Sequence, residues 1–323
     1  FLNFEDPRLS GALDHATLQS VVEAFAGDRG DSCCFFFDEI QAVDGWQQWL
    51  RTQLDRPRGH RFAISGSNAH MLSGELGSTL SGRHHRIELF PFDLEEYREL
   101  RPRATVAEYL DAGGFPAPAT SPDHDLMLRA YFHDIVERDV RERVGARSSL
   151  PLRQLVQVLF ESAGSELSMR RAAGAIGMSV DTTQLYVEAL EGAYMAFSCP
   201  FFAWSERKRS ARNRKYYPVD SGLRRIAVTR TGDDRGKQLE CATYLLLRRR
   251  FAQVFYWRGK GEVDFVVSTD AGATPVQVSW DGARERHDKA LEAFYEEHPN
   301  AAEAVLVDAE TFAAGLPELA DGT

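Results

Sequence analysis

The chain has 323 residues, of which 43% are hydrophobic, and carries a net charge of −10 at pH 7. This apolar content is sufficient for packed cores in two or three domains and excludes a mainly disordered chain. The acidic balance argues against nucleic-acid binding over the whole surface, and neither a membrane span nor a secretory signal is predicted.

The first third of the chain alternates strand-like and helix-like segments. Strands are predicted at 1–4, 33–37, 62–65 and 86–89, and helices at 13–25, 46–54 and 71–80. The continuous apolar run at 33–37 is typical of a strand that is buried on both faces. Such alternation predicts an α/β fold with a parallel sheet flanked by helices.

Two acidic residues, Asp38 and Glu39, directly follow the apolar strand. Ligands of parallel sheets bind beyond the carboxyl ends of the strands, and adjacent buried acids are costly unless a cation or partner compensates them. Nucleotide hydrolysis needs such a pair, because Asp38 would hold Mg²⁺ and Glu39 would orient or deprotonate the attacking water. The alternative is a strand end with two solvated acids.

Small polar residues follow the next predicted strand. Ser67 or Asn68 could reach a γ-phosphate or its water, although a simple Ser/Gly/Asn turn is the better explanation when this segment is considered alone. Arg83 precedes the fourth predicted strand, where it could stabilise a transferring phosphoryl group or lie on the surface. These three residues are therefore candidates whose roles depend on the neighbouring acids.

Five motifs occur in a fixed order: FLNFEDP at the start, DEIQ from Asp38, ISGSN, GR at Arg83 and LFPF. Together they resemble a prokaryotic AAA-type ATPase family with a C-terminal domain of unknown function, and the resemblance spans essentially the whole chain. It implies ATP and Mg²⁺ as ligands. It also implies that residues 1–100 form an incomplete parallel sheet of the P-loop type.

The phosphate-binding loop of such ATPases, G-x-x-x-x-G-K-[ST], does not occur in this sequence. The stretch 232–238 comes nearest, but its spacing is one residue short and Gln238 cannot replace the Mg²⁺-binding hydroxyl. The sequence opens without Met on a strand-like segment, which looks like a cut inside a domain. We expect the strand, loop and helix to lie upstream, and the first domain to be either poorly stable without them or completed by another segment.

Prolines punctuate the next region, 101–148, which we predict to be a helical lid or linker with a helix at 125–144. Helices follow from Pro151 to about Met195. Within them, 167–194 has the pattern helix, tight turn, helix, in which Gly177 forms the turn and Ser179 caps the second helix. We therefore expect a winged helix-turn-helix over 149–225.

The candidate recognition helix of this motif is not basic, because it carries Asp181, Glu188 and Glu191. A structural role is therefore favoured over DNA recognition. Six cations that follow this helix are candidates for nucleic-acid contact: Arg207, Lys208, Arg209, Arg212, Arg214 and Lys215. Phosphate contact and a solvated loop explain this basic stretch equally well.

Residues 226–323 are predicted to form a helix, three strands, a second helix and a last strand. In this order they resemble a restriction-endonuclease-like core of the PD-(D/E)XK type, which needs two acids for Mg²⁺ and a lysine for the attacking water. The resemblance assigns Asp264 as the first acid, Gln277 to the position of the second, and Ser279 to that of the lysine. Glu240 could compensate in part, and we expect a degenerate site with little or no nuclease activity.

Three hypotheses remain. The first is an ATPase whose Asp38 and Glu39 act on a nucleotide held by an upstream phosphate-binding loop. The second is a non-catalytic DNA- or protein-binding remnant of such an ATPase, and an active nuclease ranks last. The four cysteines form no C-x-x-C pair, so we expect a reduced, cytoplasmic protein without a zinc motif. Neither an oligomer nor a DNA partner is excluded, and no membrane partner is expected.

Overall fold

The computed structural model describes most of the chain, namely residues 1–9, 11, 13–26, 32–55, 59–66, 83–229, 234–269, 272–282, 285–316 and 319. The chain divides into two compact units, unit 1 (Phe1–Glu88) and unit 2 (Leu89–Thr323). Unit 1 thus ends before the boundary at residue 100 that the sequence predicted.

Unit 1 contains a three-stranded parallel sheet. The strands lie in the order β1 (Leu2–Asn3), β2 (Cys34–Asp38) and β3 (Arg61–Ile64), and the helices α1 (His15–Ala26) and α2 (Trp46–Leu54) connect them. Phe37 of β2 is paired with Leu2 on one side and with Ile64 on the other, so the three strands end at the same edge. The predicted parallel sheet with helices is confirmed in this unit.

The core of unit 1 lies on one face of this sheet. Phe35 and Phe37 are buried against residues such as Leu18 of α1 and Trp49 of α2, whereas Phe36 between them is 54% exposed. The prediction that β2 is buried on both faces is therefore wrong, because the described residues cover only one face. The alternation of buried and exposed residues along β2 is not visible in the sequence, because Phe35, Phe36 and Phe37 are all apolar.

Unit 2 begins with helices. They are α3 (Leu94–Leu100), α4 (Val106–Ala112), α5 (Pro116–Thr120) and α6 (His124–Asp134), and α6 continues through a π-helical segment (Ile135–Arg141) into the short α7 (Glu142–Val144). Asp93 and Thr105 begin α3 and α4 with capping boxes, which satisfy backbone N–H groups that a helix start leaves unpaired.

Three helices and a two-stranded hairpin follow. The helices are α8 (Leu150–Glu161), α9 (Met169–Ile176) and α10 (Val180–Gly192). The antiparallel strands are β4 (Ala196–Cys199) and β5 (Lys215–Pro218), with the short α11 (Glu206–Ser210) between them. Leu167, between α8 and α9, forms an antiparallel bridge with Arg214 beside β5. The side chain of Ser179 accepts the N–H of Thr182 and starts α10, as the sequence predicted.

The remainder of unit 2 is a mixed sheet with helices. After α12 (Ser221–Ala227) come α13 (Arg235–Arg250), β6 (Val254–Arg258), β7 (Glu262–Thr269), β8 (Gly272–Val278), α14 (Glu285–Glu297), β9 (Val305–Val307) and α15 (Ala309–Ala313). The strands lie in the order β6-β7-β8-β9. β7 is antiparallel to both β6 and β8, and β9 runs parallel to β8.

The hairpin and the mixed sheet share one core. The rings of Tyr217 on β5 and Tyr244 on α13 stack with centroids 4.4 Å apart, and Phe265 of β7 lies 5.3 Å from Tyr217. Phe202, after β4, donates its N–H to the carbonyl of Tyr256 on β6 at 2.6 Å. The boundary predicted between residues 225 and 226 therefore separates segments that pack together.

Two further elements of the prediction differ or fall outside the structure. Within the described range 83–229, no strand forms at 86–89, and Ile87 and Leu89 are largely exposed. The reason is that no described strand lies beside this segment to pair with it. The predicted helix at 71–80 lies outside the described residues. Of the helices that the structure describes, none combines the length and the apolarity that crossing a membrane requires.

Candidate functional site

Polar side chains meet at the carboxyl edge of the sheet in unit 1. Asp38 ends β2, Asn3 ends β1 and Ser65 follows β3. The Oδ2 atom of Asp38 accepts a hydrogen bond from Nδ2 of Asn3 at 3.0 Å, and its Oδ1 atom accepts one from the hydroxyl of Ser65. Each oxygen of this carboxylate keeps a further lone pair, so Asp38 is oriented by its neighbours and can still bind a cation.

Glu39 has an unusual backbone. Its φ of 52° and ψ of 46° lie in the left-handed region, which costs a residue with a Cβ atom about 1–2 kcal/mol. Glu39 starts a 3₁₀ turn (Ile40–Ala42), and the N–H of Ile40 donates to the carbonyl of Ser65 at 3.2 Å. The side chain of Glu39 accepts a hydrogen bond from Gln41. The chain thus turns directly after β2 and keeps Glu39 beside Asp38 at the carboxyl edge.

The structure does not bring Arg83 to this edge. The guanidinium of Arg83 pairs with the carboxylate of Asp55, and both side chains are about half exposed. Asp55 follows α2 and precedes β3, so this ion pair lies toward the amino ends of the strands, whereas Asp38 lies at their carboxyl ends. Ser67 and Asn68 lie outside the described residues, and their contact with phosphate stays a prediction.

A second polar centre lies in unit 2. Glu240 on α13, Asp264 on β7 and Gln277 on β8 all line one cleft of about 780 Å³. The amide of Gln277 donates to the carbonyl of Glu262 and accepts the N–H of Asp264, both at 3.2 Å. The carboxylate of Asp264 accepts the N–H of Val278 at 2.8 Å. Gln277 and Asp264 therefore cross-link β7 and β8 with their side chains.

Lys215, at the start of β5, reaches this centre from the hairpin. Its side chain has no exposed surface, and its Nζ atom lies 2.5 Å from Oε1 of Glu262 and 3.8 Å from Oε1 of Glu240. The hydroxyl of Tyr217 donates to the same Oε1 atom of Glu240 at 2.7 Å. This arrangement of Lys215 could not be predicted from the sequence. No local pattern indicates it, because it depends on the packing of β5 against α13 and β7.

Burial and the charges of neighbouring groups have opposite effects on the pKa of Lys215 in this centre. Burial acts to lower the pKa of the Lys215 ammonium, but the carboxylates of Glu240, Glu262 and Asp264 outweigh it, so this pKa is raised and the lysine stays charged. Burial, with the nearby charge of Glu240, raises the pKa of Asp264 well above its usual range, although Lys215 opposes that shift. The centre is thus an acidic cluster with a lysine ammonium as its counter-ion.

The six cations of the basic stretch differ in their exposure to solvent. A fully buried ammonium cannot reach a nucleic-acid phosphate, so the prediction that Lys215 makes such a contact is corrected. The guanidinium of Arg209 lies 5.3 Å from the ring centroid of Phe255. The guanidinium of Arg212 lies 4.8 Å from the ring centroid of Phe201.

The other members of the stretch are exposed. Arg207 and Lys208 lie on α11, and Arg214 donates to the hydroxyl of Ser198 at 3.2 Å. Nucleic-acid contact therefore stays a prediction for Arg207, Lys208, Arg209, Arg212 and Arg214. Further cations, Lys237, Lys260 and Lys289, line the cleft around Asp264. Among the described residues, no group of three or more His, Cys, Asp or Glu side chains is arranged to hold a metal ion.

Two family models match successive parts of the chain. Residues 1–98 match that of an AAA domain, and residues 103–234 match that of a domain of unknown function (DUF8612). The AAA match includes Asp38, Glu39 and Arg83. The second match includes Lys215 but ends before Glu240, so most of the cleft lies outside both models. An AAA-type segment followed by a domain of unknown function is therefore the organisation that the comparisons support.

Relatives occur in both bacteria and archaea. The chain is 27% identical over 304 residues to an uncharacterized protein of Haemophilus influenzae. The aligned region covers 89% of this chain and 76% of that protein. The chain is 28% identical over 297 residues to an uncharacterized protein of Methanocaldococcus jannaschii. The aligned region covers 83% of this chain and 65% of that protein. No solved structure matches the chain.

Proposed function

We propose that unit 1 is part of an ATP-binding and ATP-hydrolysing site of the AAA type, in which Asp38 binds Mg²⁺ and Glu39 acts on the attacking water. The position of these two acids carries the proposal. Both follow β2 at the carboxyl edge of a parallel sheet, within the segment that matches an AAA domain. Ligands of open parallel sheets bind at this edge.

The polar groups at this edge suit a magnesium ion. Mg²⁺ is commonly held by one or two carboxylates together with water and substrate phosphates. Asp38 is oriented by the neutral side chains of Asn3 and Ser65, and no ion pair to Asp38 forms among the described residues, so its charge is not already compensated. Bound there, Mg²⁺ would neutralise charge on the β- and γ-phosphates of ATP.

Glu39 is suited to the role of the base. Its carboxylate would accept a proton from the water whose oxygen bonds to the γ-phosphorus, while the bond from that phosphorus to the ADP oxygen breaks. Strained backbone conformations cluster at functional sites, and Glu39 holds one at a position where glycine would be relaxed. The strain therefore supports a functional reason for an acid at this position.

This chemistry also requires a phosphate-binding loop, which the sequence does not contain. Among the described residues, β3 pairs only with β2, so its other edge is open to a further parallel strand. Backbone groups on an open edge are available for pairing. We propose that a strand carrying the loop pairs with β3 and thereby places phosphates next to Asp38 and Glu39.

Nucleotide binding and hydrolysis by a longer protein with a native upstream segment would test this proposal. Glu39→Gln should keep Mg²⁺-ATP binding and reduce hydrolysis by at least about 10²-fold, because the amide cannot accept the proton. Asp38→Asn should weaken binding in Mg²⁺ more than in EDTA. Glu23→Gln, on an exposed position of α1, is the matched control and should hydrolyse ATP like the parent.

Two outcomes would contradict the proposal. One is full hydrolysis by the Glu39→Gln variant. The other is a well-folded longer protein, with its G-x-x-x-x-G-K-[ST] loop, that binds no nucleotide. The first outcome would remove Glu39 as the base, and the second would leave both acids after β2 with only a structural role.

For unit 2 we propose two known architectures. The order α8, α9, α10, β4 and β5, with the bridge between Leu167 and Arg214, supports a winged helix-turn-helix. The order α13, β6, β7, β8, α14 and β9, with an antiparallel start and a parallel last pair, supports a restriction-endonuclease-like core. The position of Asp264 on the second strand of that core, beside Gln277, agrees with the assignment made from the sequence.

The exposure of Arg207 and Lys208 favours a second candidate function, a non-catalytic remnant that binds DNA. Exchanging both for alanine should weaken DNA binding uniformly across sequences and reduce its salt dependence, because phosphate contacts release counterions. Lys260→Ala, a change at an exposed lysine elsewhere in unit 2, is the matched control. Fluorescence anisotropy at several salt concentrations measures the difference, and equal binding by both variants would exclude this role for α11.

A further inference from the structure

The acidic centre of unit 2 already contains a cation. The ammonium of Lys215 is 2.5 Å from an oxygen of Glu262 and 3.8 Å from an oxygen of Glu240, and the side chain of Lys215 is completely buried. A charge without exposed surface is retained only where opposite charges surround it. The lysine and the carboxylates therefore stabilise each other inside the protein.

Several other polar atoms of this centre already form hydrogen bonds within the protein. The amide of Gln277 uses its oxygen and its nitrogen on the backbone of β7. One carboxylate oxygen of Asp264 accepts the N–H of Val278, and the Glu240 oxygen nearest to the ammonium also accepts the hydroxyl of Tyr217. A divalent ion in this cluster would meet the charge of Lys215 at close range.

Lys215 also differs from a catalytic lysine in its position relative to the cleft. Glu240, Glu262 and Asp264 border the cleft, as does Ser279, which stands where a nuclease lysine is expected. Lys215 does not border the cleft and is completely buried. Its ammonium therefore cannot position water on a substrate in the cleft.

We infer that Lys215 is the resident cation of this centre, so that the residues expected to hold Mg²⁺ in a nuclease-like core do not bind a divalent ion here. The comparison with nucleases rests on the architecture proposed above, whereas the lysine–carboxylate cluster stands on its own distances. The cluster joins β5 of the hairpin to α13 and β7 without a metal. The cleft then has no metal-dependent phosphodiesterase activity.

Manganese binding by the full chain tests this inference. Any effect of Mn²⁺ at about 1 mM on the melting temperature of wild-type protein, and any binding tighter than about 1 mM in calorimetry, should be unchanged by Asp264→Asn. Lys215→Met removes the ammonium and keeps a side chain of similar length. It should melt at a lower temperature in EDTA, because the acids lose their counter-ion, and Mn²⁺ should raise that temperature.

Two further variants localise the effect. Lys260→Met is the matched control, because Lys260 lines the same cleft with a side chain that is 87% exposed, and it should respond to Mn²⁺ like the wild type. The double variant with Lys215→Met and Asp264→Asn should lose the response that the single Lys215 variant gains. This result separates the acidic centre from Asp38 in unit 1.

The inference is overturned if wild-type protein binds Mn²⁺ more tightly than about 1 mM and Asp264→Asn abolishes that binding. It is also overturned if the folded Lys215→Met variant responds to Mn²⁺ no more than the wild type. The titrations of wild-type protein and of Asp264→Asn decide the question even where the lysine variant does not fold. ATP hydrolysis by unit 1 does not enter these measurements, so failure of the ATPase proposal would be recognised separately.

Discussion

The two units cover their sheets to different extents. In unit 1 the helices bury one face of β2, and Phe36 on the other face is half exposed. In unit 2 four consecutive residues of β6, from Val254 to Trp257, are all buried, so both faces of that strand are covered. Unit 2 can therefore stabilise its sheet with its own residues, whereas the described residues of unit 1 cover one face of β2 and pair β3 on one edge.

The units also differ in how they treat charge. Unit 2 buries Lys215, Asp220 and Arg224, and each of them has a partner within hydrogen-bond or ion-pair distance. Among the described residues of unit 1, the buried polar side chain is the neutral Gln53. Charges in unit 2 are thus part of the packed structure, whereas Asp38 and Glu39 in unit 1 form no ion pair with another described residue.

Removing one aromatic ring from each unit tests the difference in packing most directly. Phe294 of α14 is completely buried and contacts the rings of Phe202 and Trp257. Phe294→Ala should lower the free energy of unfolding of unit 2 by about 3–5 kcal/mol, because the lost contacts leave a cavity. Phe36→Ala in unit 1 should change stability by no more than about 0.5 kcal/mol.

Hydrogen exchange in the intact chain measures both effects, read from peptides of β7 for unit 2 and of β2 for unit 1. A loss for Phe36→Ala as large as that for Phe294→Ala would contradict the comparison. It would mean that the open face of β2 is covered in solution.

A buried acid gives the second test. Asp220 starts α12, accepts the N–H groups of Gly114 and Leu223 at 2.6 and 2.7 Å, and is almost completely buried. Burial raises the pKa of its carboxyl from 3.8 to about 6, against the effect of these hydrogen bonds. Because this pKa is higher in the folded protein, the protonated carboxyl stabilises the fold fully below pH 3.8, and this contribution is lost as pH rises through 6. The total loss in the free energy of unfolding is about 3 kcal/mol.

Urea denaturation between pH 3.5 and 7 can measure this loss against the non-titrating Asp220→Asn variant. The stability of wild-type protein minus that of the variant should fall as pH increases over this window. Other titrating groups cancel in the difference. A constant difference, or one that grows with pH, would show that the carboxyl of Asp220 titrates in its usual range.

Part of the fold could be predicted from the sequence. Alternating elements predicted a parallel sheet in the first part, and the helices at 46–54 and 285–297 have the predicted bounds. The strand at 86–89 was predicted from its apolar residues, but a strand needs a partner and no described strand lies beside it. Local pattern therefore predicted the helices better than the pairing of strands.

The same limit applies to the two sites. Asp38 and Glu39 are adjacent in sequence and end a strand, so their common position could be predicted. The position of Glu240, Asp264 and Gln277 in one cleft followed from the resemblance to a known core. The place of Lys215 could not be predicted, because its basic neighbours suggested a surface loop and only tertiary packing turns it inward.

Two residues with positive φ, one in each unit, provide the smallest test. Glu39 in unit 1 and Tyr194 in unit 2 are the non-glycine residues with this conformation in the described part of the chain, with φ of 52° and 54°. Glycine relieves the strain of a Cβ atom at such a position, although it also gives the unfolded chain more freedom. Glu39→Gly should therefore stabilise unit 1 by about 0.5–1 kcal/mol while abolishing hydrolysis of ATP by the longer protein.

Tyr194→Gly should have the opposite sign, because the ring of Tyr194 packs against that of Phe197 at 6.0 Å and this contact would be lost. Hydrogen exchange in peptides that contain each residue can determine both signs. If Glu39→Gly also lowers stability, the glutamate side chain stabilises the turn after β2 by more than its backbone costs. The strain at Glu39 would then need no functional explanation, and the assignment of this residue as the base would rest on its position alone.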